Sequence, residues 1–118
     1  MRIDIDEIAP GLNSRNGLMR MHHRTYSRLR DRWQLLIMEQ VADRKPVADR
    51  VRITITRRTR STTPMDTDNL YSSAKVPLDA LRKVKLIRDD DPGTVVSLTM
   101  LQETRCMTST TTIEIEPA

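Results

Sequence analysis

Five aspartates lie in two short segments of the sequence, and their spacing is typical of groups that hold a divalent cation. Asp66 and Asp68 are separated by one residue. If residues 65–68 are extended, both carboxylates project to the same side, because side chains alternate along an extended chain. The second segment consists of Asp89, Asp90 and Asp91. Carboxylate oxygens are the ligands that Mg²⁺ and Mn²⁺ prefer, so the two segments predict a metal site.

Each acidic segment also has a purely structural interpretation. An Asp-Asn pair ahead of an apolar helix, as at Asp68 and Asn69, is typical of a helix N-cap, and Asp-Pro-Gly is typical of a turn. Together, however, five carboxylates raise the electrostatic free energy of the fold unless a cation neutralises them. A metal in a basic protein would meet a phosphate group, which predicts metal-assisted phosphodiester hydrolysis. Lys75 follows on the same predicted helix, either as an ammonium that stabilises the transition state or as an ordinary surface lysine.

Basic residues are concentrated in the first half of the chain. Among its 118 residues, 20 Lys and Arg outnumber 16 Asp and Glu. Residues 1–60 hold 14 basic and 7 acidic side chains, whereas residues 61–118 hold 6 basic and 9 acidic side chains. A basic half that attracts phosphate and an acidic half that binds cations suit a metal-dependent enzyme acting on nucleic acid. Solvated faces that differ by chance would give the same counts.

Two groups of arginines are candidates for contacts with DNA phosphates. The first group recurs every four residues along a predicted helix and consists of Arg20, Arg24, Arg28 and Arg32. The second group lies at the end of a predicted strand and consists of Arg57, Arg58 and Arg60. Like charges at this spacing cost a helix about 0.2–0.5 kcal/mol per pair, and a solvated face remains the alternative interpretation. Phosphate contacts of this kind position a duplex without reading its sequence.

Several classes of protein are disfavoured by the composition. The single cysteine, Cys106, cannot form an internal disulfide, and with only two adjacent histidines no set of zinc ligands occurs at finger spacing. Three aromatic residues are too few for a platform that stacks single-stranded bases. The longest uncharged stretch, residues 92–102, is too short to span a bilayer. We therefore expect a soluble, cytoplasmic protein with no membrane partner and no nucleotide cofactor.

Hydrophobic periodicity predicts the elements that position these residues. Alternating polar and apolar side chains predict strands at residues 2–6, 51–56, 94–102 and 110–116. A helical period predicts a long helix from about Met19 to Asp43. The apolar face of that helix consists of Leu29, Trp33, Leu36, Ile37 and Val41.

A second predicted helix links the two acidic segments. It covers about residues 70–85 and is opened by Asp68 or Asn69 as N-cap, and its length would return the second segment beside the first. Pro77 predicts a kink or a break, because proline lacks an amide hydrogen and clashes with the preceding turn. The order strand, helix, strand, helix, strand, strand predicts a single domain over residues 1–118 of the α+β class. We expect an α/β sandwich in which two main helices pack on a small mixed sheet.

Four separated pieces of the sequence occur in an order that a known family shares. The pieces are Asp66-Thr67-Asp68-Asn69-Leu70, then Lys75, then Leu78-Asp79-Ala80-Leu81, and then Asp89-Asp90 with Val95. This pattern resembles the RusA family of Holliday junction resolvases, and Pro10 and Asn13 are similar to that family's Pro-x-x-Asn element. Three features depart from it: Asp68 and Lys75 lie three residues further apart than in the shorter members, Lys85 stands where a glycine is usual, and Met65 stands where some members carry a basic residue.

The resemblance implies a homodimeric α/β enzyme that binds four-way or otherwise branched DNA and cuts two strands symmetrically with Mg²⁺, for which Mn²⁺ can substitute. The corresponding positions are Asp66, Asp68 and Asp90 for the catalytic, metal-binding carboxylates, Lys75 for the catalytic lysine and Asn69 among the DNA contacts. Because Asp89 and Asp91 flank Asp90, the register of the third carboxylate is open by one residue. Two alternatives are a DNA-binding protein that retains the fold without catalysis and a nuclease that prefers flap or fork DNA.

Overall fold

Four strands and three α-helices follow one another in the computed structural model, which describes residues 1–12 and 17–118. The strands are β1 (Arg2–Ile5), β2 (Val51–Arg58), β3 (Val95–Glu103) and β4 (Thr110–Pro117). The helices are α1 (His23–Met38), α2 (Thr67–Ser72) and α3 (Lys75–Val84), and a 3₁₀ turn (Leu18–Arg20) precedes α1. Across these described residues, no helix is long and apolar enough to cross a membrane.

The strands form one mixed sheet in the order β1-β4-β2-β3. Strands β2 and β3 are parallel, whereas β4 is antiparallel to both β1 and β2. Helices α1 and α3 pack against each other. The apolar side chains of these helices and of the strands form one core. The predicted α+β class, with two main helices on a small mixed sheet, is therefore confirmed.

The core follows from the two periodicities in the sequence. In β2 and β4, alternate residues such as Ile53 and Ile113 are fully buried, because every second side chain of a strand faces the same side of the sheet. On α1, Trp33 and Ile37 are completely buried at a spacing of four residues. The other members of the predicted apolar face are partly buried against this core, namely Leu29, Leu36 and Val41.

Helix α1 is shorter than the predicted span of residues 19–43. It begins after His22, whose imidazole Nδ1 accepts a hydrogen bond from the amide of Arg24 at 3.2 Å. This bond satisfies one of the amides that the first turn leaves without a partner. The helix ends at Met38, and the chain then turns away before β2.

The second predicted helix is divided into α2 and α3, which confirms the predicted break. The division falls at Ser73 and Ala74, so Pro77 lies in the first turn of α3, where a missing amide hydrogen costs nothing. The predicted N-cap at Asp68 or Asn69 is wrong. Asp66 occupies that position, and its Oδ1 accepts a hydrogen bond from the Asn69 amide at 2.8 Å.

The parallel pairing of β2 and β3 sets the positions of the two acidic segments. Val51 pairs with Val95 and Arg58 with Glu103, so both strands run from the same end of the sheet to the other. The chain leaves β2 at its carboxyl end and must return through α2 and α3 to the opposite end before β3 begins. Asp66 therefore follows the carboxyl end of β2, whereas Asp90 precedes the amino end of β3.

Candidate functional site

The first acidic segment lies at the N-terminus of α2. Asp66 uses one carboxylate oxygen to cap the helix, and Asp68 is exposed in the first turn. Both carboxylates lie where the helix dipole favours negative charge. The carboxamide of Asn69 lies against Gly11, since a Cβ on that glycine would come within 2.1 Å of Asn69 Oδ1. Asn69 and Gly11 thus fix the N-terminal loop close to the acidic segment.

A side-chain clamp fixes this segment to β3. Gln102 accepts a hydrogen bond from the Met65 amide at 3.0 Å and donates one to the Met65 carbonyl at 2.9 Å. The residue before Asp66 is thereby held to the carboxyl-terminal part of β3. The sequence reasoning missed Gln102, although an amide on the core side of a strand, two residues after the buried Met100, was a visible signal.

Lys75 opens α3 and is held at the interface with α1. Its Nζ lies 3.7 Å from Asp79 Oδ2 and 5.3 Å from the centroid of the Tyr26 ring. The Tyr26 hydroxyl donates a hydrogen bond to the same carboxylate, and burial together with this carboxylate raises the pKa of Tyr26. The Asp79 side chain is only 14% exposed, whereas that of Lys75 is 56% exposed. The ammonium is therefore oriented by a nearly buried acid and still open to solvent.

We predict that Tyr26→Phe lowers the free energy of unfolding by about 1.5–3 kcal/mol, because it removes a hydrogen bond to a mostly buried carboxylate between two helices. Urea denaturation followed by circular dichroism measures this change. Tyr71→Phe is the matched control, since within the described residues that hydroxyl only accepts a long hydrogen bond from the Met100 amide, at 3.4 Å. Equal losses in the two variants would contradict the role given to the Tyr26 hydroxyl.

The second acidic segment precedes β3, and its three carboxylates differ in their surroundings. Asp91 Oδ1 accepts a hydrogen bond from the Thr94 amide at 2.9 Å, so this residue forms the turn. Asp89 Oδ1 accepts one from the Asp90 amide at 2.7 Å. Partial desolvation and a side-chain hydrogen bond with Asp89 raise the pKa of Asp90. Asp89 and Asp90 thus form a close acidic pair, while Asp91 has a structural role.

The two acidic segments lie far apart within one chain. Asp66 is fixed next to Gln102, and Asp90 precedes Val95 at the other end of β3. The length of β3 between Val95 and Gln102 is about 23 Å, at roughly 3.3 Å per residue. The expectation that the helix returns the second segment beside the first is wrong for a single chain, because parallel strands require a crossover between opposite ends. Among the described residues, no group of three or more His, Cys, Asp or Glu gathers to hold a metal.

The donor chemistry of each acidic pair nevertheless suits Mg²⁺. This ion is usually held by one or two carboxylates and completes its shell with waters and substrate phosphates. Asp66 and Asp68 supply two carboxylates from positions two residues apart at a helix N-terminus, and Asp89 and Asp90 supply two from one turn. Each pair therefore has the type of oxygen donor that a magnesium ion prefers.

The predicted arginine series on α1 is exposed where the structure describes it. Arg24 and Arg28 are exposed on α1, and no ion pair found in the described part of the chain involves either of them. Arg32 is paired with Glu7. The side chain of Arg20 and the whole of Asn13 lie outside the described residues.

The arginines at the end of β2 do not form one track. Arg57 faces the helices, where burial lowers its pKa and where Nε has no hydrogen-bond partner among the residues that the structure describes. Arg58 faces the open side of the sheet and binds Glu103 at 3.0 Å and Thr112 Oγ1 at 2.9 Å. Arg60 is exposed in the following loop. The expectation of a common phosphate-binding surface is wrong for this group, because adjacent strand residues face opposite sides of the sheet.

A basic cleft that the sequence reasoning missed lies at the C-terminal end of α3. Its volume is about 490 Å³, and its charged lining consists of Arg44, Lys45, Arg82, Lys85, Arg88 and Asp89. The cations come from the loop after α1, the end of α3 and the loop before β3, so no local spacing reveals them. The one available signal was Lys85, which stands where the resemblance leads one to expect glycine.

Comparison with models of known protein families and with curated protein sequences finds no match to this chain. The observations that bear on function are therefore the fold, the two acidic pairs, the oriented lysine and the distribution of exposed cations. Each of these is a property of the chain's own residues.

Proposed function

We propose that this protein is a Mg²⁺-dependent endonuclease that resolves four-way DNA junctions by paired phosphodiester hydrolysis, as the RusA family that its sequence resembles does. The observation that carries the proposal is the exposed pair Asp66 and Asp68, which is clamped to β3 at the helix N-terminus that leads to Lys75. The protein would act in the cytoplasm, in DNA recombination and repair.

In the proposed phosphodiester hydrolysis, the aspartates and the lysine have different roles. Asp66 and Asp68 would hold Mg²⁺, which supplies an activated water and neutralises charge on the phosphate. Asp66 has one oxygen engaged by the Asn69 amide, which fixes the orientation of its carboxylate. Asp79 holds the Lys75 ammonium at 3.7 Å while leaving it open to solvent, as a group that stabilises a developing negative charge requires.

A homodimer would reconcile the separation of the acidic pairs with a common site. The two pairs lie at opposite ends of β3, and a two-fold axis perpendicular to this strand would turn a second copy so that its β3 runs in the opposite direction. Such an axis brings Asp90 of one subunit towards Asp66 and Asp68 of the other. It also produces two equivalent sites, which matches the approximate two-fold symmetry of a four-way junction.

The exposed cations favour a DNA partner over a small molecule. Arg24 and Arg28 project from α1 without an ion-pair partner in the part of the chain that the structure describes. Unneutralised guanidinium groups of this kind bind phosphates and release counterions. The small number of aromatic side chains suits an enzyme that recognises the shape of branched duplex DNA.

The proposed activity is tested by incubating a labelled four-way junction, and a linear duplex of the same sequence, with Mg²⁺, with Mn²⁺ or with EDTA. We expect paired cuts in the junction with either metal, slower cutting of the duplex, and no cutting in EDTA. Junction binding without cleavage under every divalent ion would instead identify a DNA-binding protein that retains the fold. Faster cutting of a flap or a fork would identify a nuclease with that preference.

A further inference from the structure

The basic cleft at the end of α3 has fixed walls. The Val47 amide donates a hydrogen bond to the Leu86 carbonyl at 2.9 Å, which joins the loop after α1 to the loop after α3. Arg88 and Asp49 form an ion pair across the same two loops at 3.0 Å. Leu86 is fully buried beneath the cleft. The backbones of the two loops that carry most of these cations are therefore joined to each other.

The positive charge of the cleft is only partly compensated, since Lys45 pairs with Asp43 at 3.8 Å and Arg88 pairs with Asp49. Its lining carries five cations and the single carboxylate of Asp89. Arg44, Arg82 and Lys85 take part in no ion pair formed within the described ranges. Arg44 and Lys85 also line a neighbouring groove of about 260 Å³, to which Lys83 adds another cation. The two cavities therefore lie side by side and share the cations of Arg44 and Lys85.

The backbone conformation of Lys85 is one that destabilises the fold for a residue that carries a Cβ. Lys85 terminates α3 with a φ of 70° and a ψ of 26°, the left-handed conformation that favours glycine. The capping bonds are those of a regular helix end, since the Leu86 amide reaches the Leu81 carbonyl at 3.1 Å. A glycine would make the same bonds without the Cβ strain. The turn itself therefore does not require a lysine side chain at this position.

Neutralisation of the helix dipole does not account for the cleft. Cations in the last turn of a helix are stabilising, and this explains Arg82 and Lys83. It does not explain Arg44 and Lys45, which come from the loop after α1 and face the same cavity. The convergence of cations from two separate loops indicates an anionic ligand.

We infer that the basic cleft binds consecutive phosphates of a DNA strand and leads that strand past the Asp89 and Asp90 carboxylates at its rim. That the bound strand is DNA rests on the proposed function. That the cleft binds phosphodiesters is inferred from its own cations. The assignment adds a phosphate-binding surface at the end of β3 opposite to Asp66, where the arginines of β2 do not reach.

The test is Lys85→Gly in the full-length chain, with junction affinity measured by fluorescence anisotropy in EDTA from about 50 to about 200 mM salt. We expect affinity to fall about fivefold and the slope of log affinity against log salt to decrease by about one, because one phosphate contact is lost. The melting temperature stays the same or rises, because glycine suits the left-handed conformation. Weaker binding by a chain of equal or greater stability cannot be a folding defect.

Arg105→Gly is the matched control. Arg105 is the other described non-glycine residue with a positive φ, at 57°, and it is exposed in the loop between β3 and β4, at the opposite end of β3. The control removes the same charge and relieves the same kind of backbone strain. Equal loss of affinity in the two variants would mean a net-charge effect and would overturn the assignment, as would unchanged affinity in Lys85→Gly.

Two further measurements separate the remaining explanations. Inorganic phosphate at constant ionic strength should not displace the junction, and displacement from the wild-type chain but not from Lys85→Gly would assign the cleft to a small free anion and overturn the proposal. Cleavage in Mg²⁺ is scored separately. If the protein binds DNA through the cleft but cuts no substrate, this inference stands and the proposed endonuclease activity is wrong. If the protein cuts DNA and Lys85→Gly changes nothing, the endonuclease activity stands and this inference is wrong.

Discussion

Asp68→Asn should abolish junction cleavage while junction binding stays unchanged or becomes tighter. The carboxylate is exposed in the first turn of α2 and forms no hydrogen bond or ion pair with any part of the chain that the structure describes, so its removal leaves the fold intact. Loss of a metal-binding carboxylate lowers the cleavage rate by about a thousandfold or more. Binding is retained because the substitution removes a negative charge near phosphate. Single-turnover cleavage and anisotropy with Ca²⁺ in place of Mg²⁺ measure the two effects.

Glu116→Gln provides the control for a change of one charge. Glu116 is exposed on β4, on the face of the sheet away from the helices, and lies on a different strand from the clamp that holds Asp66. This variant should cleave at the wild-type rate. If Asp68→Asn loses binding and cleavage to the same extent, the role of Asp68 in holding a metal is wrong.

Mixing the two inactive variants Asp68→Asn and Asp90→Asn should restore cleavage if the site is shared between subunits. In a mixed dimer, one site combines the intact Asp68 of one subunit with the intact Asp90 of the other, while the second site carries both substitutions. Random assortment places about half of the chains in such dimers. Because each has one complete site, we expect nicks in one strand rather than paired cuts. Co-expression of the two variants, with the mixed dimer identified by native mass spectrometry, provides the sample.

A mixture of Asp66→Asn and Asp68→Asn is the control for this experiment. These two carboxylates belong to one segment of one chain, so every site in their mixed dimer retains a defect. This mixture should stay inactive. A verified mixed dimer of Asp68→Asn and Asp90→Asn that cuts nothing would exclude the shared site and leave Asp90 without the proposed role.

The fold could be predicted because its signals are local and redundant. The alternation in β2 and β4 and the four-residue spacing of Trp33 and Ile37 each depend on neighbouring residues alone. The N-cap of α2 could not be assigned in the same way, since Asp66, Asp68 and Asn69 are all good capping residues. The choice between them depends on the Gln102 clamp, which joins residues 37 positions apart.

The candidate site was predicted in its parts and not in its arrangement. The spacing of Asp66 and Asp68 predicted two carboxylates on the same side of an extended segment. That expectation is wrong for residues 65–68, because α2 begins at Thr67 and Asp68 lies in its first turn, while Asp66 caps the helix. The distance to Asp90 depends on whether β2 and β3 are parallel, which no local pattern specifies. The opposite orientations of Arg57 and Arg58 were available from strand periodicity, whereas the basic cleft arises only from long-range packing.

The left-handed lysine at the end of α3 also has an evolutionary consequence. Substitution by glycine at position 85 is a change that stability alone would favour. Under the proposed role of the cleft, selection for binding and selection for stability would act at this position in opposite directions. A descendant of this chain that no longer needed an anion in the cleft would be more stable with glycine at that position. The residue found at position 85 in related sequences would then report whether each of them still uses the cleft.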